Sequence, residues 1–151
     1  MGATFMMPTE AQKLIEQKLQ LLQRYMKELE KYVLLETDMI VGDIEKLRSM
    51  ERSFQLMVDE AIDINSVLAY QLGNTVPDAY KSTFYDLVPI KIFDLPFVER
   101  IAESARVRNQ IMHDYEKLTA SQTVEAIKKF FELYQTYAKI IIEKFVMTSG
   151  S

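Results

Sequence analysis

Apolar residues recur three and four positions apart through most of this chain, a spacing that places them on one face of an α-helix. The pattern predicts four long helices, beginning near Thr9, near Thr37 or Asp38, near Asp94 and near Ser121, and one short helix beginning near Pro77. The second long helix is predicted to run to Leu72, where Gly73 and Asn74 favour a left-handed stop. Because no segment alternates apolar and polar residues as a strand does, the sequence predicts an all-α bundle.

Length and composition narrow the class of protein. The chain has 151 residues, and we expect 1–151 to form a single domain with disordered ends at 1–7 and 148–151. It contains no cysteine, which excludes disulfides and thiolate sites and leaves a cytoplasmic location as the default. No apolar run is long enough to predict a membrane span. The net charge of −4 argues against a surface that coats nucleic acid, but a local basic cleft near Arg106 and Arg108 stays open.

One short segment offers specific chemistry. His113 is the single histidine of the chain, and Arg108 lies five positions before it. A guanidinium binds phosphate oxygens through a planar fork of N–H donors, and an imidazole gains or loses a proton near neutral pH. The two groups together suit the cleavage of a phosphodiester. Taken alone, the same spacing also fits a surface arginine and a histidine that stabilises a helix end.

The residues around this pair resemble a known family. Arg108-Asn109 followed by His113-Asp114-Tyr115 is similar to the R-x-x-x-x-H-x-Y motif of HEPN-domain toxins of the HepT type. The resemblance extends to the long second helix, to the link between Leu72 and Pro77, and to the helix after the motif. Arg106-Val107 departs from it, since these proteins often have glycine and an aromatic residue there. The departure leaves Arg108 and His113 unchanged.

The resemblance implies both a fold and a function. HepT proteins are small all-helical toxins paired with a nucleotidyltransferase antitoxin, MntA, in type VII toxin–antitoxin systems. The resemblance therefore implies a homodimeric HEPN bundle that acts as a metal-independent endoribonuclease, without a cofactor. It also implies that the antitoxin neutralises the enzyme by transferring AMP to the motif tyrosine, here Tyr115. Two alternatives remain: a non-catalytic HEPN module that binds nucleotide or docks a nucleotidyltransferase, and a purely structural dimerising bundle.

The chemistry of RNA cleavage points separately to more than one copy of the chain. Metal-free cleavage needs a base, an acid and a cation, whereas one chain supplies one histidine. A two-fold interface would bring Arg108 and His113 of both subunits to one cleft. On a straight helix the two residues lie about 140° apart around the axis and about 7.5 Å apart along it. Either the helix loosens near Met112, or a second subunit completes the site.

Three further residues are candidates for the site. Asn109 is predicted either to bind RNA or to hold the helix end. Tyr115 is predicted to lie at the mouth of the cleft, with a buried bundle tyrosine as the alternative. Asp63 belongs to a polar stripe on the second long helix and is a candidate to line the cleft, although most of that stripe is expected to face solvent. The lone histidine and the absence of cysteine make a zinc site improbable, and no metal ligands are predicted.

Overall fold

A computed structural model describes residues 7–78, 82–113 and 118–146. All regular secondary structure in these ranges is helical, which confirms the predicted all-α class. The helices are α1 (Thr9–Val33), α2 (Thr37–Val41), α3 (Ile44–Gly73), a 3₁₀ helix (Thr83–Leu87), α4 (Leu95–Ile101), α5 (Glu103–His113) and α6 (Ala120–Phe145). None of the described helices is both long and apolar enough to cross a membrane.

Three long helices, α1, α3 and α6, surround the core. Most residues of the predicted apolar stripes are buried: Ile15 and Leu22 on α1, Phe54 on α3 and Ile141 on α6 are all inaccessible to solvent, whereas Ile44 at the start of α3 is exposed. The helix α1 packs along α3, and α6 packs mainly against α1 and α2. At a rise of about 1.5 Å per residue α3 is about 45 Å long, and it contacts every other long element.

The predicted second helix is interrupted, and the prediction of one continuous helix from Thr37 to Leu72 is wrong there. Asp43 has extended backbone angles (φ −130°, ψ 103°), and its carboxylate accepts hydrogen bonds from the N–H groups of Glu45 and Lys46. This N-cap begins α3 and ends the short helix α2. The predicted stop is confirmed: Asn74 adopts the left-handed conformation (φ 51°), and Thr75 N–H bonds to the carbonyl of Ala69.

The other two predicted helices in the middle of the chain also differ from the structure. The helix predicted from Asp94 is interrupted at Ala102 and forms α4 and α5, and the Asp94 carboxylate caps α4 through Phe97 N–H. The predicted short helix is represented by the 3₁₀ helix, which begins at Thr83; Pro77 and Asp78 are not helical, so the predicted start there is wrong, and residues 79–81 lie outside the described ranges. Met7 packs partly buried against the core, and the rest of the two predicted disordered ends lies outside those ranges. That the chain forms a single domain stays a prediction.

Buried polar side chains fix α5 to the rest of the bundle. Ser104 on α5 shares a hydrogen bond of 2.8 Å with the hydroxyl of Tyr134 on α6. Nearby, the Tyr137 hydroxyl donates to the Asn65 side chain on α3 at 2.6 Å, and Asn65 donates to Thr83 of the 3₁₀ helix at 3.2 Å. Burial raises the pKa of both tyrosines far above its usual value, so both hydroxyls stay protonated donors.

Candidate active site

Helix α5 carries both residues of the predicted pair. Its buried face consists of Ser104, Val107 and Ile111, which pack toward α3, α4 and α6. At 100° per residue, Arg108 lies about 40° from Ser104 around the helix, whereas His113 lies about 180° from it. Arg108 is therefore half-buried at the edge of the packed face, and His113 is exposed on the opposite side.

The Arg108 guanidinium is held by two neighbours. Its Nη2 donates to Oδ1 of Asp59 on α3 at 2.5 Å, and its Nη1 donates to Oδ1 of Asn109 at 2.8 Å. The side chains of Arg108 and Asp59 are 24% and 33% exposed, so the pair lies at the border between core and solvent. The Nε of Arg108 is buried and has no hydrogen-bond partner among the described residues. The guanidinium thus has a fixed position and an unused donor.

Arg108 lies on the wall of a cleft of about 630 Å³ between α3, α5 and the segment that precedes the 3₁₀ helix. Apolar side chains, among them Ile62 and Ala105, form part of the lining. The polar part of the lining consists of Ser66, Asp78, Ser82, Thr83, Arg106, Arg108 and Asn109. A volume in this range and a mixed lining are typical of sites for small organic molecules or single nucleotides.

Helix α5 is continuous through His113, and the predicted loosening near Met112 does not occur in the described residues. Within one protomer, the arginine and the histidine therefore point in directions about 140° apart and do not converge on one phosphate. Of the two alternatives raised by the sequence, completion by a second copy is the one compatible with this geometry. The described chain is a single protomer, so the homodimer itself stays a prediction.

The other predicted site residues have different positions. Asn109 is exposed and its carbonyl oxygen accepts from Arg108, which leaves its amide nitrogen turned away from that bond. Asp63 lies in an ion pair with Lys18 of α1 at 2.7 Å and is not among the described residues that line the cleft. That hydrogen bond is the main reason that the pKa of Lys18 is raised. Tyr115, the predicted modification site, and Asp114 lie outside the described residues.

Asp59 is the site residue that sequence analysis missed. It belongs to the same polar stripe of α3 as Asp63, which was expected mainly to face solvent. Ser66 lies about 20° from Asp59 around the helix on the side of the cleft, whereas Asp63 lies about 40° away on the side of α1. The spacing of seven between Asp59 and Ser66 was a usable signal, but choosing the carboxylate required knowing which helices flank α3.

Within residues 7–78, 82–113 and 118–146, no group of three or more histidine or acidic side chains is arranged to hold a metal ion. The polar groups that line the described cleft are the guanidinium groups of Arg106 and Arg108, the Asn109 amide, the Asp78 carboxylate and the hydroxyls of Ser66, Ser82 and Thr83.

Comparison with known proteins identifies the family. The family model described as "Ribonuclease HepT-like" matches residues 22–141, which is most of the chain. This chain belongs to the ribonuclease HepT-like family. The predicted HepT-type HEPN family is thereby confirmed, and the prediction of a ribonuclease is confirmed at the level of the family.

Individual relatives agree with this assignment. The HepT-like chain is 28% identical over 128 residues to the tRNA nuclease HepT of Aphanizomenon flos-aquae, covering 85% of this chain and 87% of that protein. Its fold matches a tri-AMPylated HEPN toxin of Shewanella oneidensis, solved in complex with an MNT antitoxin (TM-score 0.77, 19% identity, 87% of this chain and 98% of that one). It also matches a toxin–antitoxin structure with AMP-PNP (TM-score 0.75, 19% identity, 85% and 97% coverage). At these identities the two structures establish the HEPN fold alone.

Proposed function

We propose that this HepT-like protein is a metal-independent endoribonuclease toxin of a type VII toxin–antitoxin system, with an active site formed across a homodimer. The observation that carries the proposal is that Arg108 and His113 share one continuous helix, with the guanidinium fixed beside a cleft and the imidazole exposed. The family match supports the reaction class, and the relative named tRNA nuclease HepT supports RNA as the substrate.

The proposed reaction uses the RNA's own nucleophile. A base removes the proton of the 2′-hydroxyl, and the resulting oxygen attacks the adjacent phosphorus. The bond from phosphorus to the 5′-oxygen breaks as an acid protonates that oxygen, which leaves a 2′,3′-cyclic phosphate and a 5′-hydroxyl. His113 serves in proton transfer, and Arg108 stabilises the negative charge of the pentacoordinate phosphate. Asn109, beside Arg108, is proposed to donate its amide N–H to the RNA.

A second copy solves two problems of the single protomer. It supplies a second imidazole, so that one histidine acts as base and the other as acid. It also lies against the exposed side of the first α5, so that the imidazole of one chain can reach the guanidinium of the other. Within one chain His113 points away from Arg108. We propose a homodimer whose two-fold axis passes near the C-terminal ends of the two α5 helices.

Control of the enzyme is proposed to act on the motif tyrosine, Tyr115. Tyr115 lies two positions beyond His113 in the sequence, and the resemblance to HepT toxins makes it the acceptor of AMP from an MntA-like nucleotidyltransferase. The AMPylated toxin of Shewanella oneidensis, which is in complex with its antitoxin, supports this kind of regulation. An added nucleotide brings negative phosphate toward Arg108, where it competes with RNA.

The proposed activity predicts RNA cleavage that does not depend on divalent metal. Purified protein incubated with RNA in excess chelator is expected to cut as fast as protein without chelator, because the proposed chemistry uses only protein groups. The products are expected to carry cyclic phosphate and 5′-hydroxyl ends, which end-labelling with and without phosphatase distinguishes. Intact RNA would instead favour the non-catalytic HEPN module, and chelator-sensitive cleavage would contradict the metal-free mechanism.

The proposed regulation predicts a specific covalent change. Incubation with a cognate nucleotidyltransferase and ATP, or co-expression with that enzyme, is expected to add AMP, or several AMP groups, to Tyr115 and to suppress cleavage. Mass spectrometry of the intact protein and of its peptides measures the addition, and the variant Tyr115→Phe serves as the control that cannot accept it. Modification of a different residue, or full suppression of Tyr115→Phe, would contradict the role of Tyr115.

A further inference from the structure

Asp59 connects the proposed catalytic arginine to the longest helix of the bundle. Its Oδ1 lies 2.5 Å from Nη2 of Arg108, and the two residues are 49 positions apart in the sequence. Asp59 is also close enough to the buried hydroxyl of Tyr134 for its charge to contribute to the raised pKa of that tyrosine, after burial as the main cause. The carboxylate thus joins α3 to α5 through Arg108.

The ion pair is poorly placed to serve stability alone. Both side chains are a quarter to a third exposed, so the attraction between the charges is partly screened by solvent and partly offset by the cost of removing them from water. The helices α3 and α5 are already joined by buried apolar residues such as Val107 and Ile111. What the carboxylate changes most is the freedom of Arg108, whose long side chain would otherwise sample many rotamers.

The contacts also determine which part of the guanidinium is left for a substrate. Asp59 engages Nη2, and Asn109 engages Nη1 from the same helix. Each of those nitrogens keeps a second N–H, and Nε has no partner among the described residues. Asp59 therefore anchors the guanidinium through Nη2, and the second N–H of Nη1 and of Nη2 remains for phosphate oxygens, since Nε is itself buried.

We propose that Asp59 is a positioning residue for the ribonuclease reaction, holding the Arg108 guanidinium where it stabilises the charge that develops on the scissile phosphate. This inference rests on the proposed function, because it assigns Asp59 a role in that same reaction. Fixed donors stabilise a transition state more than mobile donors do, since no reorganisation is needed during the reaction. The contribution of Asp59 should therefore appear in kcat more than in KM.

The test compares three variants of Asp59 with a matched control on the same helix. Asp59→Ala is expected to lower kcat by about 10- to 100-fold with KM changed by less than about threefold, the pattern of a misplaced catalytic group. Asp59→Asn keeps an oxygen that accepts from Nη2 and is expected to restore most of kcat. Asp59→Glu is expected to restore less, because its longer side chain displaces the guanidinium. The control is Asp63→Ala, which removes a carboxylate one turn away that pairs with Lys18.

A second measurement does not require activity. Heteronuclear NMR of arginine side chains reports the Nε–H of Arg108, assigned by its loss in Arg108→Lys. A resonance protected from solvent exchange is expected in the wild type and in Asp63→Ala, and fast exchange is expected in Asp59→Ala. An unchanged resonance in Asp59→Ala would overturn the proposal. If the wild type cleaves RNA and the kcat of Asp59→Ala lies within twofold of the kcat of Asp63→Ala, the proposal is also overturned. A wild type that leaves RNA intact contradicts the proposed function itself.

Discussion

Replacing His113 by alanine is expected to lower the rate of RNA cleavage by about 10²- to 10⁴-fold, the usual contribution of a group that transfers a proton in the transition state. In a symmetric dimer this single change removes both imidazoles of the site, so the site loses both its base and its acid. His113 is exposed at the last turn of α5, and its loss should leave the fold intact. Cleavage of labelled RNA and circular dichroism measure the two quantities.

The control for this variant is Arg24→Ala, which removes a cation from an exposed position on α1. It is expected to cleave at the wild-type rate. Cleavage by His113→Ala within a factor of about three of that control would contradict the role of the imidazole.

Mixing two inactive variants tests the shared site more sharply. Arg108→Ala retains both histidines, and His113→Ala retains both arginines. Subunit exchange between them gives a heterodimer in which the remaining arginine and histidine come from different chains. Because the proposed site uses two imidazoles and this heterodimer has one, it is expected to stay below the wild-type rate but to exceed His113→Ala, which has none. A mixture that exchanges subunits and does not exceed His113→Ala would contradict a site formed across the interface.

Replacing Phe84 by alanine is expected to lower the free energy of unfolding by about 3–5 kcal/mol, the range observed for large cavities in packed cores. Phe84 is fully buried in the 3₁₀ helix, and its ring meets the edges of Tyr134 and Tyr137 at centroid distances of 6.4 Å and 5.7 Å. It thus anchors the segment that contributes Ser82 and Thr83 to the cleft. Urea unfolding monitored by circular dichroism measures the change.

The variant Phe84→Leu provides the matched control, since leucine fills most of the same space. It is expected to cost clearly less than Phe84→Ala. Equal losses for the two variants, or a loss below about 1 kcal/mol for Phe84→Ala, would contradict the role of this ring in the core.

The helical fold was predictable because it depends on a local pattern. Residues such as Ile15, Phe54 and Ile141 are buried as their three- and four-residue spacing requires. The left-handed stop at Asn74 was equally local. The break at Asp43 was not predicted, because the apolar stripe continues across it while the choice between helix and N-cap depends on how α2 and α3 pack.

The site was predictable in part. The sequence alone singled out Arg108 and His113, since one is a permanent cation and the other is the chain's only imidazole, and it also pointed to the family now established by comparison. The sequence could not tell which carboxylate contacts Arg108. Asp59 and Asp63 are one turn apart on the same polar stripe, and helical spacing treats them as neighbours on one face.

What the amino-acid sequence determined by itself was therefore the class of fold and the chemical groups of the site, because periodicity and side-chain chemistry are properties of short segments. Tertiary structure decided the rest. Packing of α1 on one side of α3 directs Asp63 to Lys18, and packing of α5 on the other side directs Asp59 to Arg108. A difference of about 40° around one helix is enough to separate the two carboxylates. The arrangement of the neighbouring helices decides which of them contacts Arg108.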